Sequence, residues 1–199
     1  PKGREEVNEV IRKLNKEGQP SDHGPEAKSA ELTVQIMKRL RYPDKFSKLV
    51  TWLVAEHMRF APMLISGEKT LLRWVRSEAT SGTFRNQAEL TYAYKQLVEV
   101  FLADMEATHA RKNPTLMENG RALGEQVIEL AREKMPVANS DLAISGKDLL
   151  EIIPKEQIKN ALSYLLERVQ SGNLPNEKEA LLTAMQKHLQ KTLKGNDDE

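Results

Sequence analysis

The chain has 199 residues, enough for one large domain or two small ones. Charged residues make up 30% of the sequence and aromatic residues 5%, and the remainder is rich in residues that favour helix. The absence of cysteine excludes disulfides, thiol catalysis and cysteine-ligated zinc. No apolar run reaches the ~20 residues that a membrane-spanning helix needs, and the first residues lack the apolar core of a signal peptide. We therefore expect a cytoplasmic, helical protein that does not contact a membrane.

Positive charge is concentrated in one part of the chain. The segment from Lys28 to Lys95 carries 12 Lys or Arg and 6 Asp or Glu, whereas the rest carries 18 and 23. A basic segment of this kind is typical of a surface that binds a polyanion. The alternative, that these side chains only solvate helix surfaces, stays open.

Apolar residues recur at helical spacing along nearly the whole chain. A short helix around residues 7–14 is followed by a loop and by a helix that starts at Pro25, because proline suits a first turn. The predicted buried stripe of this second helix consists of Ala30, Val34, Met37 and Leu40. After a break at Pro43, the next helix has a wide apolar face that includes Phe46.

Longer helices are predicted further along the chain, over about 87–108 and 115–134. The last helix is predicted to start at Asn176 as its cap, with Glu179 completing a pair like a capping box. No alternating strand pattern occurs. We expect an all-α protein, a bundle of about seven or eight helices without a sheet. Its predicted parts are an N-terminal helix or linker (1–20), a helical body domain (21–135) and a helical tail domain (136–199).

No catalytic constellation can be assembled from the sequence, so we predict no catalytic residue and no metal ligand in this chain. None of its four histidines has a partner at metal-ligand spacing, and no nucleophile or phosphate-loop motif occurs. His57 falls at a predicted helix end, where the last carbonyl groups can satisfy its ring.

The stronger signals are for binding. The run KRLRYPDK and the run RWVR place cations at helix ends or on one helix face, where they can follow a phosphate backbone. The predicted RNA phosphate contacts are Arg41, Lys45, Arg73, Arg76, Arg85 and Lys147. Trp74 and Tyr92 could stack unpaired bases, although core filling is the simpler interpretation of Trp74 and Tyr94.

The stretch from Ile144 to Leu182 resembles the C-terminal part of bacterial class II tRNA nucleotidyltransferases. These are the CCA-adding enzymes, the A-adding enzymes and their poly(A) polymerase relatives. The residues that carry the likeness are Ile144, Gly146, Asp148, Leu149, Gly172, Leu174, Asn176, Leu181 and Leu182. A body segment is also similar, through His23, Ser29, Ala30, Leu40, Arg41, Pro43 and His57. Together with the Ala103-Asp104 pair, the resemblance covers about residues 21–190.

The resemblance implies a body-and-tail region that binds tRNA or another RNA and positions its 3′ end for nucleotide addition. In that family the catalytic head carries a Gly-Ser motif and a metal-binding Asp-x-Asp, and neither occurs here. Magnesium and a nucleoside triphosphate are therefore expected only in a head domain or partner chain, not in this chain. The parent protein is expected to be a nucleotidyltransferase.

Two other functions are compatible with the sequence. One is a stand-alone all-α protein-interaction module without an RNA role. The other is a degenerate HD-type phosphohydrolase, although Asp22-His23 reverses the order of the His-Asp dyad that such enzymes use.

Overall fold

The computed structural model describes residues 25–108 and 114–195. Within these ranges the chain forms seven helices of 13 or more residues, two helices of four residues and no strand. The helices are α1 (Pro25–Arg39), α2 (Asp44–Glu56), α3 (Phe60–Met63), α4 (Glu68–Thr80), α5 (Gln87–Thr108), α6 (Pro114–Glu129), α7 (Gly146–Leu149), α8 (Ile158–Gln170) and α9 (Lys178–Gly195). A π-helical turn over Leu130–Lys134 continues α6. The all-α prediction is confirmed for the described ranges.

Other predictions concern residues that the structure does not describe. The N-terminal helix or linker over 1–20 and the reversed dyad at 22–23 lie outside the described residues. Within the described ranges, every helix is too short or too polar to traverse a lipid bilayer.

The described residues divide into two compact units, and each unit draws on two separate parts of the chain. The first unit comprises the described residues within 25–73 and 92–128, and the second those within 74–91 and 129–195. The division falls inside α4, inside α5 and before the last residue of α6. The predicted boundary between a body over 21–135 and a tail over 136–199 stays a prediction.

Aromatic side chains organise the core of the first unit. Trp52 of α2 meets the buried Tyr94 of α5 edge to face, with ring centroids 5.4 Å apart. Phe60 and Phe101 are buried against each other with centroids 4.6 Å apart. Because such pairs bury large areas and favour specific geometries, they fix how α2, α3 and α5 pack.

The contact between α5 and α6 requires a residue without a side chain. A Cβ atom built on Gly124 would lie 2.6 Å from a methyl carbon of Val98. Val98 is β-branched and stiff, so it cannot swing away from an added methyl group. Gly124 therefore lets the two helix backbones approach closely.

The predicted buried stripe of α1 is largely wrong. Met37 is buried, but Val34 and Leu40 are 51% and 56% exposed. Phe46, expected on the apolar face of α2, is 46% exposed and packs on Tyr42 with ring centroids 5.3 Å apart. The helical period gives the direction of an apolar face, whereas burial depends on what covers that face. Among the described residues α1 packs against α2, and this contact leaves Val34 and Leu40 exposed.

The second unit has a core of its own, formed by α7, α8, α9 and the segments on either side of α7. Leu149, Leu165 and Leu181 are fully buried at its centre. The other buried members of this cluster are Leu142, Ile144, Ile153, Ala161, Val169 and Met185. This core brings together the two halves of the motif that was noted in the sequence.

Candidate nucleic-acid interface

Two of the predicted phosphate contacts flank the turn between α1 and α2. Arg41 and Lys45 are both exposed there, and Lys45 lies in the first turn of α2. The same run of sequence adds Lys38 and Arg39, which are exposed in the last turn of α1. These two cations were not among the predicted contacts, although KRLRYPDK contains them. The junction thus presents four cations within eight residues of the sequence.

The backbone at this junction is unusual. Arg41 has a φ of 56°, in the left-handed region that glycine ordinarily occupies after a helix. Its N–H donates to the carbonyl of Lys38 at 3.1 Å, and the N–H of Tyr42 donates to that of Met37 at 3.1 Å. This is the Schellman arrangement that closes a helix. It fixes the backbone of a charged residue at an exposed corner.

Arg73 and Arg76 lie on α4 and differ in accessibility. Arg73 is exposed, whereas Arg76 is half-buried. The Nε atom of Arg76 is buried without a hydrogen-bond partner among the described residues. Arg73 is therefore the more accessible cation of the pair.

Arg85 and Lys147 are both exposed residues of the second unit. The Nε of Arg85 donates to the carboxylate of Glu89 at 3.1 Å, and its backbone N–H donates to the same carboxylate at 3.1 Å. The hydrogen bond and charge of Glu89 raise the pKa of Arg85. Arg85 would have to leave this partner, or share it, in order to bind a phosphate. Lys147 lies in α7.

The aromatic residues considered for base stacking differ clearly in their exposure to solvent. Trp74 and Tyr94 are 2% and 0% exposed, so the core-filling interpretation is confirmed for both. Tyr92 is 55% exposed on α5, with the exposed Lys95 three residues further along the helix. Residues three apart on a helix are neighbours, so this pair can contact one ligand.

The structure also describes the surroundings of His57. Its Nδ1 atom lies 2.8 Å from the carbonyl oxygen of Val54 at the end of α2. The interpretation of His57 as a helix-end residue satisfied by a backbone carbonyl is confirmed. Among the described residues, no group of three His, Asp or Glu side chains is arranged to hold a metal ion.

The first half of the C-terminal motif folds around Asp148. Its carboxylate accepts hydrogen bonds from the N–H and the hydroxyl of Ser145 at 2.8 and 2.7 Å, and from the ammonium of Lys178. The bond from Lys178 and those from Ser145 hold the pKa of Asp148 well below its usual range. Asp148 lies inside the first turn of α7, and Ser145 occupies the cap position of that helix. The contact with Lys178 ties α7 to the start of α9.

The prediction that Asn176 caps the last helix is wrong. α9 starts at Lys178, and the side chain of Asn176 points back to the loop before α7. It donates to the carbonyl of Asp141 at 2.8 Å and accepts from the N–H of Ala143 at 2.8 Å. Asn176 therefore joins two loops that are more than 30 residues apart in the sequence.

Gly172 closes α8. Its φ is 74°, and its N–H donates to the carbonyl of Val169 at 2.9 Å. The N–H of Asn173 donates to the carbonyl of Arg168 at 3.0 Å, which completes a Schellman motif. A side chain at this position would strain the turn into the last helix.

The sequence of the chain has counterparts among known proteins. A family model described as "tRNA nucleotidyltransferase domain 2 putative" matches residues 70–185. This is more than half of the chain, so the chain belongs to the tRNA nucleotidyltransferase family. The resemblance noted in the sequence is confirmed at this level.

A relative extends the likeness toward the amino terminus. The chain is 29% identical over 166 residues to an A-adding tRNA nucleotidyltransferase of Deinococcus radiodurans, an alignment that covers 82% of this chain. The same alignment covers 35% of the relative, so the chain spans about a third of that protein's length. No solved structure matches the chain at a significant level.

Proposed function

We propose that this chain is the RNA-binding helical region of a tRNA nucleotidyltransferase. It holds tRNA through phosphate contacts and positions the 3′ end for nucleotide addition. The addition itself is carried out by a catalytic head outside these residues, which binds magnesium and the nucleoside triphosphate. The protein works in the cytoplasm, where tRNA is processed. The observation that carries this proposal is the family match over residues 70–185.

The accessible cations support the proposal. Arg41, Lys45, Arg73 and Lys147 are exposed. Their side chains are therefore within reach of a phosphate that approaches from the solvent. Arg85 can contact a phosphate after its release from Glu89, and Arg76 can do so through the exposed part of its side chain. Phosphate contacts of this kind give affinity without sequence selectivity.

The salt dependence of tRNA binding tests this function directly. We expect a gel-shift titration with tRNA to give a dissociation constant that rises steeply between low and moderate salt. Each phosphate contact contributes about 0.7–0.9 to the slope of log K against log salt concentration. Replacing Arg41 and Lys45 with glutamine removes two such contacts and should therefore lower that slope by about 1.4 to 1.8. Absence of tRNA binding at low salt would overturn the proposal.

The gel-shift titration and a phosphatase assay together separate the alternatives that the sequence left open. A protein-interaction module without an RNA role gives no shift with tRNA at any salt concentration. A degenerate HD-type phosphohydrolase releases phosphate from a phosphomonoester in the presence of a divalent metal. We expect tRNA binding and no metal-dependent phosphatase activity above background.

A further inference from the structure

The second unit contains a cleft between α8 and α9 that none of the predicted phosphate contacts lines. Its volume is about 620 Å³, within the range of roughly 300–1,000 Å³ that is usual for small-ligand sites. Its apolar lining residues are Leu174, Ala180 and Ala184. The remainder carries aromatic and charged side chains from both helices.

A stack of planar groups lies at this cleft. The rings of Tyr164 and His188 are stacked, with centroids 4.2 Å apart and planes inclined by 26°. The guanidinium of Arg168 lies 5.7 Å from the centroid of the Tyr164 ring and donates to its hydroxyl at 3.0 Å. These contacts hold the three side chains in place before any ligand binds. A planar ligand in the cleft can add a further layer to such a stack.

The charges around the stack disfavour a simple anion. Arg168 and Lys187 supply positive charge, and Glu177 and Glu179 supply an equal number of negative charges. A phosphate group would meet two carboxylates as well as two cations. A neutral ring with both donors and acceptors on its edge matches all four groups better. Carboxylates accept from exocyclic amines, and Arg or Lys donates to ring nitrogens and carbonyls.

We infer that this cleft binds an unpaired nucleobase by stacking on the Tyr164–His188 pair, with its edge read by the surrounding charged side chains. The base could come from a single-stranded part of an RNA or from a free nucleotide. The inference rests on the proposed function only where it names RNA as a source.

Nuclear magnetic resonance signals from the His188 ring, in a chain labelled with carbon-13, report whether a ligand binds in the cleft. Three probes are titrated: adenosine monophosphate, ribose 5-phosphate and a single-stranded RNA oligonucleotide. We expect adenosine monophosphate or the oligonucleotide to shift the His188 signals saturably, and ribose 5-phosphate to leave them unchanged. If adenosine monophosphate shifts the signals, the base of a free nucleotide is sufficient for binding. Shifts with the oligonucleotide alone identify RNA as the source.

Variants test whether stacking gives the affinity. His188→Ala should weaken binding of the responding probe at least about fivefold, because one stacked base contributes at least about that factor. His188→Phe retains a ring and should retain most of the affinity, measured by calorimetry. Gln186→Ala, an exposed change on α9 outside the cleft, is the matched control. Circular dichroism shows whether each variant is folded.

Two results would overturn the inference. Equal shifts with ribose 5-phosphate and adenosine monophosphate would make the cleft an anion site. No His188 shift with any probe, while tRNA still binds in the gel-shift assay, would reject the cleft and leave the proposed function standing. Loss of tRNA binding as well would reject both.

Discussion

Arg41 has a backbone conformation that most residues avoid, at the point where α1 ends. An L-residue in the left-handed region costs roughly 1–2 kcal/mol, and glycine is the usual solution after a helix. The junction carries this cost at an exposed cation in the most basic part of the chain. Strain at an exposed charged residue is a reason to test that residue for a role in binding.

Replacing Arg41 with glycine should therefore separate folding from binding. Glycine relieves the left-handed strain, although it adds entropy to the unfolded chain. We expect the free energy of unfolding to stay equal or to rise by up to about 1 kcal/mol, measured by urea denaturation. Affinity for tRNA should fall severalfold because one phosphate contact is lost.

Arg41→Lys serves as the control, since it keeps the charge and should keep most of the affinity. If Arg41→Gly bound tRNA as well as the natural sequence does, Arg41 would not be a phosphate contact.

The carboxylate of Asp148 makes the stability of the fold depend on pH, and the direction of its pKa shift gives the sign of that dependence. Its pKa is lowered in the folded state, first by Lys178 and then by Ser145. Its contribution to stability is therefore fully present above the ordinary pKa of an aspartate, about 3.9, and declines as the pH falls below it. We expect Asp148→Asn to lower Tm at pH 7 and to differ less from the natural sequence below pH of about 4.

Thermal denaturation followed by circular dichroism over a pH series measures this difference. Glu151→Gln, which removes an exposed carboxylate two residues after Leu149, should change Tm little at any pH. A difference for Asp148→Asn that stayed constant down to pH of about 2 would contradict the assigned role of its charge.

At the scale of elements, the turn from α8 to α9 is held by contacts that the local sequence does not suggest. Gly172 ends α8, and Asn176 then turns back to the segment before α7 instead of capping α9. The chain also uses Asp141, whose carboxylate accepts from the N–H groups of Gln87, Val137 and Ala138 at 2.9 to 3.0 Å. Loops without regular structure are fixed in this way by single side chains that satisfy several backbone groups.

Truncating Asn176 tests this arrangement. Asn176→Ala leaves the carbonyl of Asp141 and the N–H of Ala143 without their partner. We expect a loss of about 1–3 kcal/mol in the free energy of unfolding, measured by urea denaturation. Asn173→Ala is the matched control, since Asn173 is exposed and its side-chain amide donates to the hydroxyl of the nearby Ser171. Equal losses in the two variants would show that the long-range bonds of Asn176 contribute nothing specific.

At the scale of the whole molecule, positive charge is distributed unequally along the chain. The contributions of its parts to tRNA affinity should be unequal as well. The segment from Lys28 to Lys95 holds 12 of the 30 Lys and Arg residues but only 6 of the 29 Asp and Glu residues. Three of the exposed cations in this segment, Arg41, Lys45 and Arg73, belong to the first unit. We therefore expect charge changes in this segment to affect binding more than equal changes elsewhere.

Arg73→Glu makes this comparison at a single position. Arg73 is exposed on α4, so the variant should fold, while tRNA affinity should fall about tenfold or more through one lost contact and a new repulsion. Arg121→Glu makes the same charge change at an exposed position of α6 outside the predicted contacts. Gel-shift titrations of both variants in one buffer measure the difference. Equal losses would indicate a diffuse charge effect without a defined site.

Much of the fold could be predicted from the sequence because helical periodicity and helix-ending residues act locally. The starts of α1 at Pro25 and of α5 at Gln87, and the turn at Gly172, follow from such signals. The candidate site was only partly predictable. Charge alone does not tell that Arg85 is paired with Glu89, or that Arg76 is half-buried.

The sequence by itself determined the all-α class, the family and the positions of the cations, because these depend on composition, spacing and motif. Only the tertiary structure decided which apolar and polar groups are covered, since burial depends on neighbours that are distant in the chain. It exposed Val34 and Leu40, directed Asn176 to a remote loop, and brought Tyr164, Arg168 and His188 together at one cleft. The cleft had no signal in the sequence, because its stacked groups come from two helices and acquire a shared geometry only when those helices pack.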